Sequence, residues 1–385
     1  MVTLILIDTP QSRLSLYPLS LTRPVCDLRH GILTIREWWS AITGMPVYAL
    51  SEPYLQEDIP EAPLFICIDA TVCPDGNCIE QILALEQGAM LEDERGLIAY
   101  ASSKMPVYNQ LPVWPARSVQ VPHQQRLTGV WQLFQTNEEK IRQHFQVITN
   151  GRTSVPVADS NTIIGGKNLF IEAGTEMQAC TINTTTGPVY IGKNALVMEG
   201  TLLRGPVSIG EGAVIKMGTK LYPGTTVGPW CTAGGEIKNS ILTGFSNKAH
   251  DGYLGDSVIG EWCNFGAGSS NSNVKNTGGE VKMWHEPSRS FQPVGIKAGL
   301  IMGDYSRCAI NASFNTGTTV GVSCNVFDGT YPNKHLPSFS WGNHERYEFH
   351  KACLDAANWK KMKGKEFTGK DRLILQHIFE ITNTK

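Results

Sequence analysis

The sequence is short of charge. Only 18% of its 385 residues are Asp, Glu, Lys or Arg, and the signs nearly cancel, 33 basic against 35 acidic. With no basic excess and no block of like charge, neither nucleic acid nor an anionic membrane surface is expected as a partner. Long apolar runs are missing too, none approaching the roughly 18 residues of a membrane span. The opening Met1-Val-Thr-Leu-Ile-Leu-Ile-Asp8 has no basic segment and meets an acid too early for a secretory signal, so the expected setting is the cytoplasm. The ten cysteines contain no Cys-x-x-Cys pair, which argues against a zinc ribbon; scattered as they are, they read as reduced, mostly buried thiols. What is plentiful is glycine, 38 residues, and low charge with abundant glycine suits a turn-dense β architecture.

The chain opens on the apolar run Leu4–Ile7, closed by Asp8. Leu33 to Ala41 has a helical pattern, and a second apolar run, Leu64–Ile68, ends at Asp69. Strand, loop, helix, strand implies an α/β domain with its site at the carboxyl ends of parallel strands. Between Gly129 and Val147 either one helix or two fit, with acids at Glu138 and Glu139 favouring a fresh start near Thr136 or Asn137. The domain boundary is expected in the Pro-containing stretch Ser154–Asn161.

Beyond it the period changes. Ile191, Val197, Leu203, Ile209, Ile215, Leu221, Val227 and Ala233 recur every six residues, with Gly following at 192, 210, 228 and 234. Six-residue spacing of an apolar residue often followed by Gly is the signature of a parallel β-helix built from hexapeptide repeats. The pattern resumes at Ile259 and Phe265, and again from Met302 to Val326. Two irregularities interrupt it: a slip of two residues between Ala233 and Ile259, and a stretch without hexads from Ser269 to Lys297, expected to loop out. Glu345–Lys363 and Arg372–Thr382 read as closing helices, the second with Leu373, Ile374, Ile378 and Ile381 as its apolar positions.

The first irregularity holds Lys248, His250, Asp251 and Tyr253. Imidazole is suited to take a proton from an attacking amine or hydroxyl near neutral pH. A trimer of coils would place His250 in a cleft between subunits.

Glu236-Ile-Lys238, Lys248-Ala-His250-Asp-Gly-Tyr253-Leu-Gly-Asp-Ser-Val-Ile-Gly260, Asn264-Phe-Gly-Ala-Gly268 and Asn273 together resemble the acetyltransferase half of the bacterial bifunctional uridyltransferase/glucosamine-1-phosphate acetyltransferases. The resemblance implies a left-handed coil. It implies His250 as the general base for the sugar amine, and Lys238 and Tyr253 as residues holding the sugar and its phosphate. Asn264 and Asn273 would line the same cleft, and Ala267 would lie where the acetyl-CoA arm is bound. Two positions depart from the pattern. A family arginine is replaced by Tyr222, with Lys220 two residues earlier, so both enter the set of substrate-binding candidates; and the tyrosine after the second asparagine is Val274.

Arg13-Leu-Ser-Leu-Tyr17-Pro18-Leu is similar to the phosphate loop of sugar-1-phosphate nucleotidyltransferases, although Thr9-Pro-Gln-Ser12 stands where that family has glycines. The similarity implies nucleotide-binding roles for Arg13, Arg23 and Arg29, and Mg²⁺ held by Asp69. The stretches Leu21–Trp38 and Pro337–Gly342 resemble a variant branch of the bifunctional family found in Bacteroidetes-type bacteria. The expected organisation is a degenerate nucleotidyltransferase-like, Rossmann-like α/β domain at 1–157, a left-handed β-helix acyltransferase domain at 158–338 and a helical segment at 339–385. Acetyl transfer from acetyl-CoA to an amino-sugar 1-phosphate is the first reading. Sugar-1-phosphate nucleotidyl transfer by the N-terminal domain, or a non-catalytic trimer binding a nucleotide sugar, are its rivals.

Overall fold

The computed structural model describes residues 2–74, 76–110, 117–327 and 331–382. The chain divides into two compact units, the first comprising Met1–Leu16, Ser20–Leu28 and Leu33–Gly129, the second the remainder. The division falls at Gly129/Val130 instead of near residue 157, because the helix Asn137–Thr149 packs on the coil of the second unit.

The first unit is a six-stranded sheet in the order Val47–Leu50, Val2–Ile7, Leu64–Asp69, Gly96–Ser102, Ala89–Asp93, Arg117–Gln120. The first three strands run parallel, as their continuous apolar runs predict. Gly96–Ser102 then enters antiparallel to both of its neighbours, so the sheet is mixed. Asp69 ends its strand opposite Ile7 and Asp8 follows one residue on, so both carboxylates lie at the carboxyl ends of two neighbouring parallel strands.

The second unit is a parallel β-helix. Successive short strands go to three different sheets in rotation, and each sheet gains one parallel strand per coil. All eight residues of the unbroken six-residue series point into one apolar column, none more than 2% exposed. The slip has a local cause: the inward positions after Ala233 are Ile237, Leu242, Lys248, Leu254 and Ile259, so three of the intervals fall short of six residues. One inward position is thereby a lysine. The hexad-free stretch leaves the coil only in part. Ser270–Asn271 still pairs in parallel with Ser313–Phe314, while Val281–His285 and Ser290–Gly295 form a bulged antiparallel hairpin. Trp284 of that hairpin stacks on His335 with centroids 4.2 Å apart.

Two helices close the chain, Phe349–Met362 and Gly369–Ile381. The second buries Leu375 and Ile378, not Leu373, which is 66% exposed. All ten cysteines are buried free thiols, and among the described residues no helix is long and apolar enough to cross a membrane.

The region from Val130 holds two helices, Gln132–Gln135 and Asn137–Thr149. Asn137, fully buried, does not cap the second. Its amide donates to Gly224 O (2.7 Å) and Thr226 Oγ1 (3.0 Å) and accepts from Gly31 N (2.8 Å), stapling the helix to a coil rung. Beneath this staple lie two buried imidazoles, His30 and His144. Burial drives the His30 pKa down to about 3, helped by Lys140, and pushes His144 well down, with His30, Lys140 and Arg29 adding repulsion. The unfolded chain therefore takes up these two protons first. The His30 contribution is complete above about pH 6.5 and is lost as pH falls towards 3, at about 1.4 kcal/mol per pH unit, and His144 acts in the same direction. Asp8 acts with the opposite sign: burial raises its pKa to about 6, against the pull of Arg13, so the folded state gains its proton first. The net expectation is a loss of stability as pH falls from 6 to 5, because two imidazoles oppose the one carboxyl that titrates there. Urea unfolding across that window checks it, and flat stability would contradict it.

Candidate active site

On one sheet of the coil, inward Leu221, Ile237 and Leu254 alternate with outward residues in a matching file. That file is Lys220, Glu236 and Tyr253, on three successive rungs. Lys238 lies one step further along its rung, paired with Gly255, and Tyr222 sits at the corner beside it. Parallel rungs stand about 4.8 Å apart, so these side chains share one small patch. Lys220, Tyr222 and Lys238 are exposed.

Asn273, although distant in sequence, returns to this patch. Its amide donates to Tyr253 Oη (3.1 Å) and to Asp256 Oδ2, and Asn239 donates to Asp256 Oδ1 (2.7 Å). Asp256 is thus the buried hub that fixes Asn273 against Tyr253. Burial, followed by Asp256 and Glu236, pushes the Tyr253 phenol up to about 12, keeping it a hydrogen-bond donor.

His250 occupies the corner between Asn247–Lys248 and Tyr253–Gly255. It is exposed, and its ring makes no hydrogen bond among the described residues. The corner itself is rigidly held. Lys248, 2% exposed inside the coil, donates through Nζ to Gly234 O (3.3 Å) and to His250 O. Burial lowers its pKa to about 8. The next corner, carrying Ala267, stacks on this one: Gly268 N donates to Asp251 O at 3.2 Å. A Cβ on Gly234 would meet Ala249 O at 2.4 Å, so glycine is what lets the rung below approach. Asn264 faces outward on the neighbouring sheet, paired with Asn247. The coil therefore brings Lys220, Tyr222, Lys238, Tyr253 and Asn273 together beside the His250 corner, with Ala267 one rung above.

The first unit holds a separate cavity of about 490 Å³ at the carboxyl ends of its parallel strands, lined by Asp8, Asp69, Arg95, Asn109, Gln110 and Arg126 among others. None of the three arginines singled out in the sequence lines it. Arg13 is fully buried in ion pairs with Asp8 (3.0 Å) and Glu52 (3.2 Å) and also donates to Ser51 and Tyr54. It holds the strand ends together and is not presented to a ligand. Arg23 lies near Asp27, and its carbonyl accepts from Arg13. Arg29 belongs to the second unit, donating to Thr243 O (3.1 Å) and Ile32 O.

Asp69 does line the cavity, but its oxygens are engaged. Oδ1 accepts from Thr71 N and Oγ1, and Oδ2 pairs with Arg126 at 3.3 Å. Arg126 pairs in turn with Asp93 at 2.7 Å and donates to Leu97 O and Gly96 O. A guanidinium pinned by four acceptors stands against the carboxylate that Mg²⁺ would need. The residues present do not fit that ion.

Residues 4–153 match the sugar nucleotidyl transferase family model. That span contains the cavity of the first unit and all of its sheet except Val2 and Thr3. Among curated relatives, the bifunctional protein GlmU of Methanocaldococcus jannaschii is 38% identical over 89 residues, 23% of this chain and 21% of that one. A bifunctional sugar-1-phosphate nucleotidylyltransferase/acetyltransferase of Sulfurisphaera tokodaii is 32% identical over 101 residues, 26% and 25% of the two chains. Synechococcus elongatus GlmU is 25% identical over 241 residues, 58% and 49%. The chain thus spans between about a fifth and a half of the length of these relatives. A hexapeptide transferase family protein from Anaplasma phagocytophilum superposes with a TM-score of 0.23 at 18% identity, covering 59% of this chain and 87% of that one.

Sequence reasoning missed Asp256, Arg95 and Arg126. Asp256 carried a signal, since it lies in the Tyr-Leu-Gly-Asp block. Arg95 and Arg126 sit in loops whose fold no local pattern announces.

Proposed function

We propose that the coil is an acetyltransferase, moving an acetyl group from acetyl-CoA to the amine of an amino-sugar 1-phosphate. The observation that supports this best is the cluster of Lys220, Glu236, Tyr253 and Asn273 beside an exposed, backbone-anchored His250. Lys220 and Lys238 suit a phosphate, Tyr253 and Asn273 suit sugar hydroxyls, and Glu236 is the one carboxylate of the file, suited to the amine. Asn264 and Ala267 would line the side on which acetyl-CoA arrives.

The step needs no redox partner. The amine nitrogen attacks the thioester carbonyl while the His250 imidazole removes its proton. Main-chain N–H groups of the coil would receive the tetrahedral oxyanion. Collapse breaks the C–S bond, and the leaving sulfur takes the proton back, giving amide and free coenzyme A thiol. A homotrimer, in which a second copy closes the exposed side of His250, completes the proposal, with the cytoplasm as its setting.

Thiol release from acetyl-CoA, assayed over a panel of amino-sugar phosphates, tests the reading. Glucosamine 1-phosphate is expected to turn over with a KM at least about tenfold below that of glucosamine, because two lysines lose their anion in the free sugar. Silence across the panel would sink it. Tyr253→Phe removes one donor worth about 0.5–1.5 kcal/mol and should raise KM about 2–12-fold with little change in folding; an unchanged KM would remove Tyr253 from the sugar site.

The family match of residues 4–153 favours a second reading, sugar-1-phosphate nucleotidyl transfer in the first unit. Pyrophosphate release from UTP and N-acetylglucosamine 1-phosphate tests it directly.

A further inference from the structure

The cavity of the first unit poses its own question. Its floor carries the chain Asp69–Arg126–Asp93, in which one guanidinium spans two carboxylates. The side chain of Arg126 is 7% exposed, and its Nε is buried without a hydrogen-bond acceptor among the described residues. Both Nη atoms are spent on Asp69, Asp93 and two carbonyls, so the guanidinium is a fixed positive charge at the cavity floor.

The rest of the lining fits one class of molecule. Asn109 and Gln110 bring amides that both donate and accept, as a base edge or a sugar requires. Tyr100, Leu97, Val107, Ile7 and Pro10 supply apolar wall. Arg95 also lines the cavity; its side chain is exposed and has no ion pair among the described residues, which leaves it available for phosphate. The volume of about 490 Å³ lies within the usual range of small-ligand pockets.

We propose that this cavity is a metal-independent nucleotide-sugar site, in which the Arg126 guanidinium takes the place of a divalent cation between Asp69 and Asp93. Arg126 supplies the fixed positive charge, and Arg95 meets the diphosphate at the rim. Occupancy needs no metal, and this reading stands against the nucleotidyl transfer considered above, so that pyrophosphate release from UTP and a sugar 1-phosphate would overturn it. This is separate from acetyl transfer, which the same preparation can be assayed for independently.

The test uses the full chain and UDP-N-acetylglucosamine, titrated calorimetrically in EDTA and in Mg²⁺, together with Mn²⁺ uptake followed by electron paramagnetic resonance. Expected are Kd values within twofold with and without metal, no stoichiometric Mn²⁺ in the wild type, and about tenfold weaker nucleotide-sugar binding in Arg95→Ala. Arg126→Ala, by freeing two neighbouring carboxylates, is expected to gain Mn²⁺ affinity by at least about tenfold. Binding that appears only with metal and disappears in Asp69→Asn overturns the proposal. So do the absence of binding in both buffers, an Arg95→Ala affinity equal to wild type, and a folded Arg126→Ala that takes up no more Mn²⁺. Should Arg126→Ala not fold, the wild-type titrations and Arg95→Ala decide alone.

Discussion

His250→Ala is expected to lower kcat for acetyl transfer by about 10²–10⁴-fold, the usual contribution of a general base. Because the ring is exposed and makes no hydrogen bond among the described residues, stability should stay within about 0.5 kcal/mol of wild type. The corner is held from below by the Lys248 ammonium on the carbonyl of residue 250, a contact that any side chain at this position leaves intact. His250→Gln, which keeps size and polarity but accepts no proton at neutral pH, should be equally impaired. Steady-state thiol release alongside thermal unfolding checks both. Turnover within twofold of wild type in either variant would remove His250 as the base while leaving the surrounding patch as a binding site.

Gly31→Ala is expected to destabilise the second unit by about 2–5 kcal/mol. Gly31 has φ of +81°, where an L side chain is strained by roughly 1–2 kcal/mol. The added Cβ would also lie 2.8 Å from His144 Nδ1, 2.8 Å from Lys140 Cβ and 2.9 Å from the Lys140 carbonyl carbon. Overpacking of this kind costs about 1–3 kcal/mol when neighbours must shift. Here they have little room to do so. The helix carrying Lys140 and His144 is stapled by Asn137 to Gly224 and Thr226, and Thr226 also donates to Gly31 O at 3.0 Å. Relieving the clash means breaking that staple. Equilibrium urea denaturation followed by Trp fluorescence measures the loss; a change under 1 kcal/mol would show the staple to be slack.

The coil was legible because its inward residues obey one period, and a buried column demands apolar side chains at each beat. That legibility ends where the corners shorten. Between Ala233 and Ile259 the intervals contract, and counting alone does not reveal that Lys248 is an inward residue. Nor does the sequence show Asn137 reaching a rung 87 residues away, since a helix start and a tertiary staple ask for the same residue type. Arg13 illustrates the converse. It sits in a stretch similar to a phosphate loop, yet Asp8, Glu52, Ser51 and Tyr54 surround it, and which arginine meets which carboxylate is decided by strand order. The closing helix misled for a simpler reason: Leu373 and Leu375 both fit an amphipathic pattern, and only packing chooses between them.

Because the main-chain ladder of each rung runs to the rung above and the rung below, the constellation at residues 220–273 depends on a few adjacent coils. The rungs from Thr162 to Arg204 lie outside it. They act as a plinth. Its height could grow or shrink over generations in whole-turn increments of about 4.8 Å, by duplication or loss of one three-strand turn, without disturbing a single contact at His250.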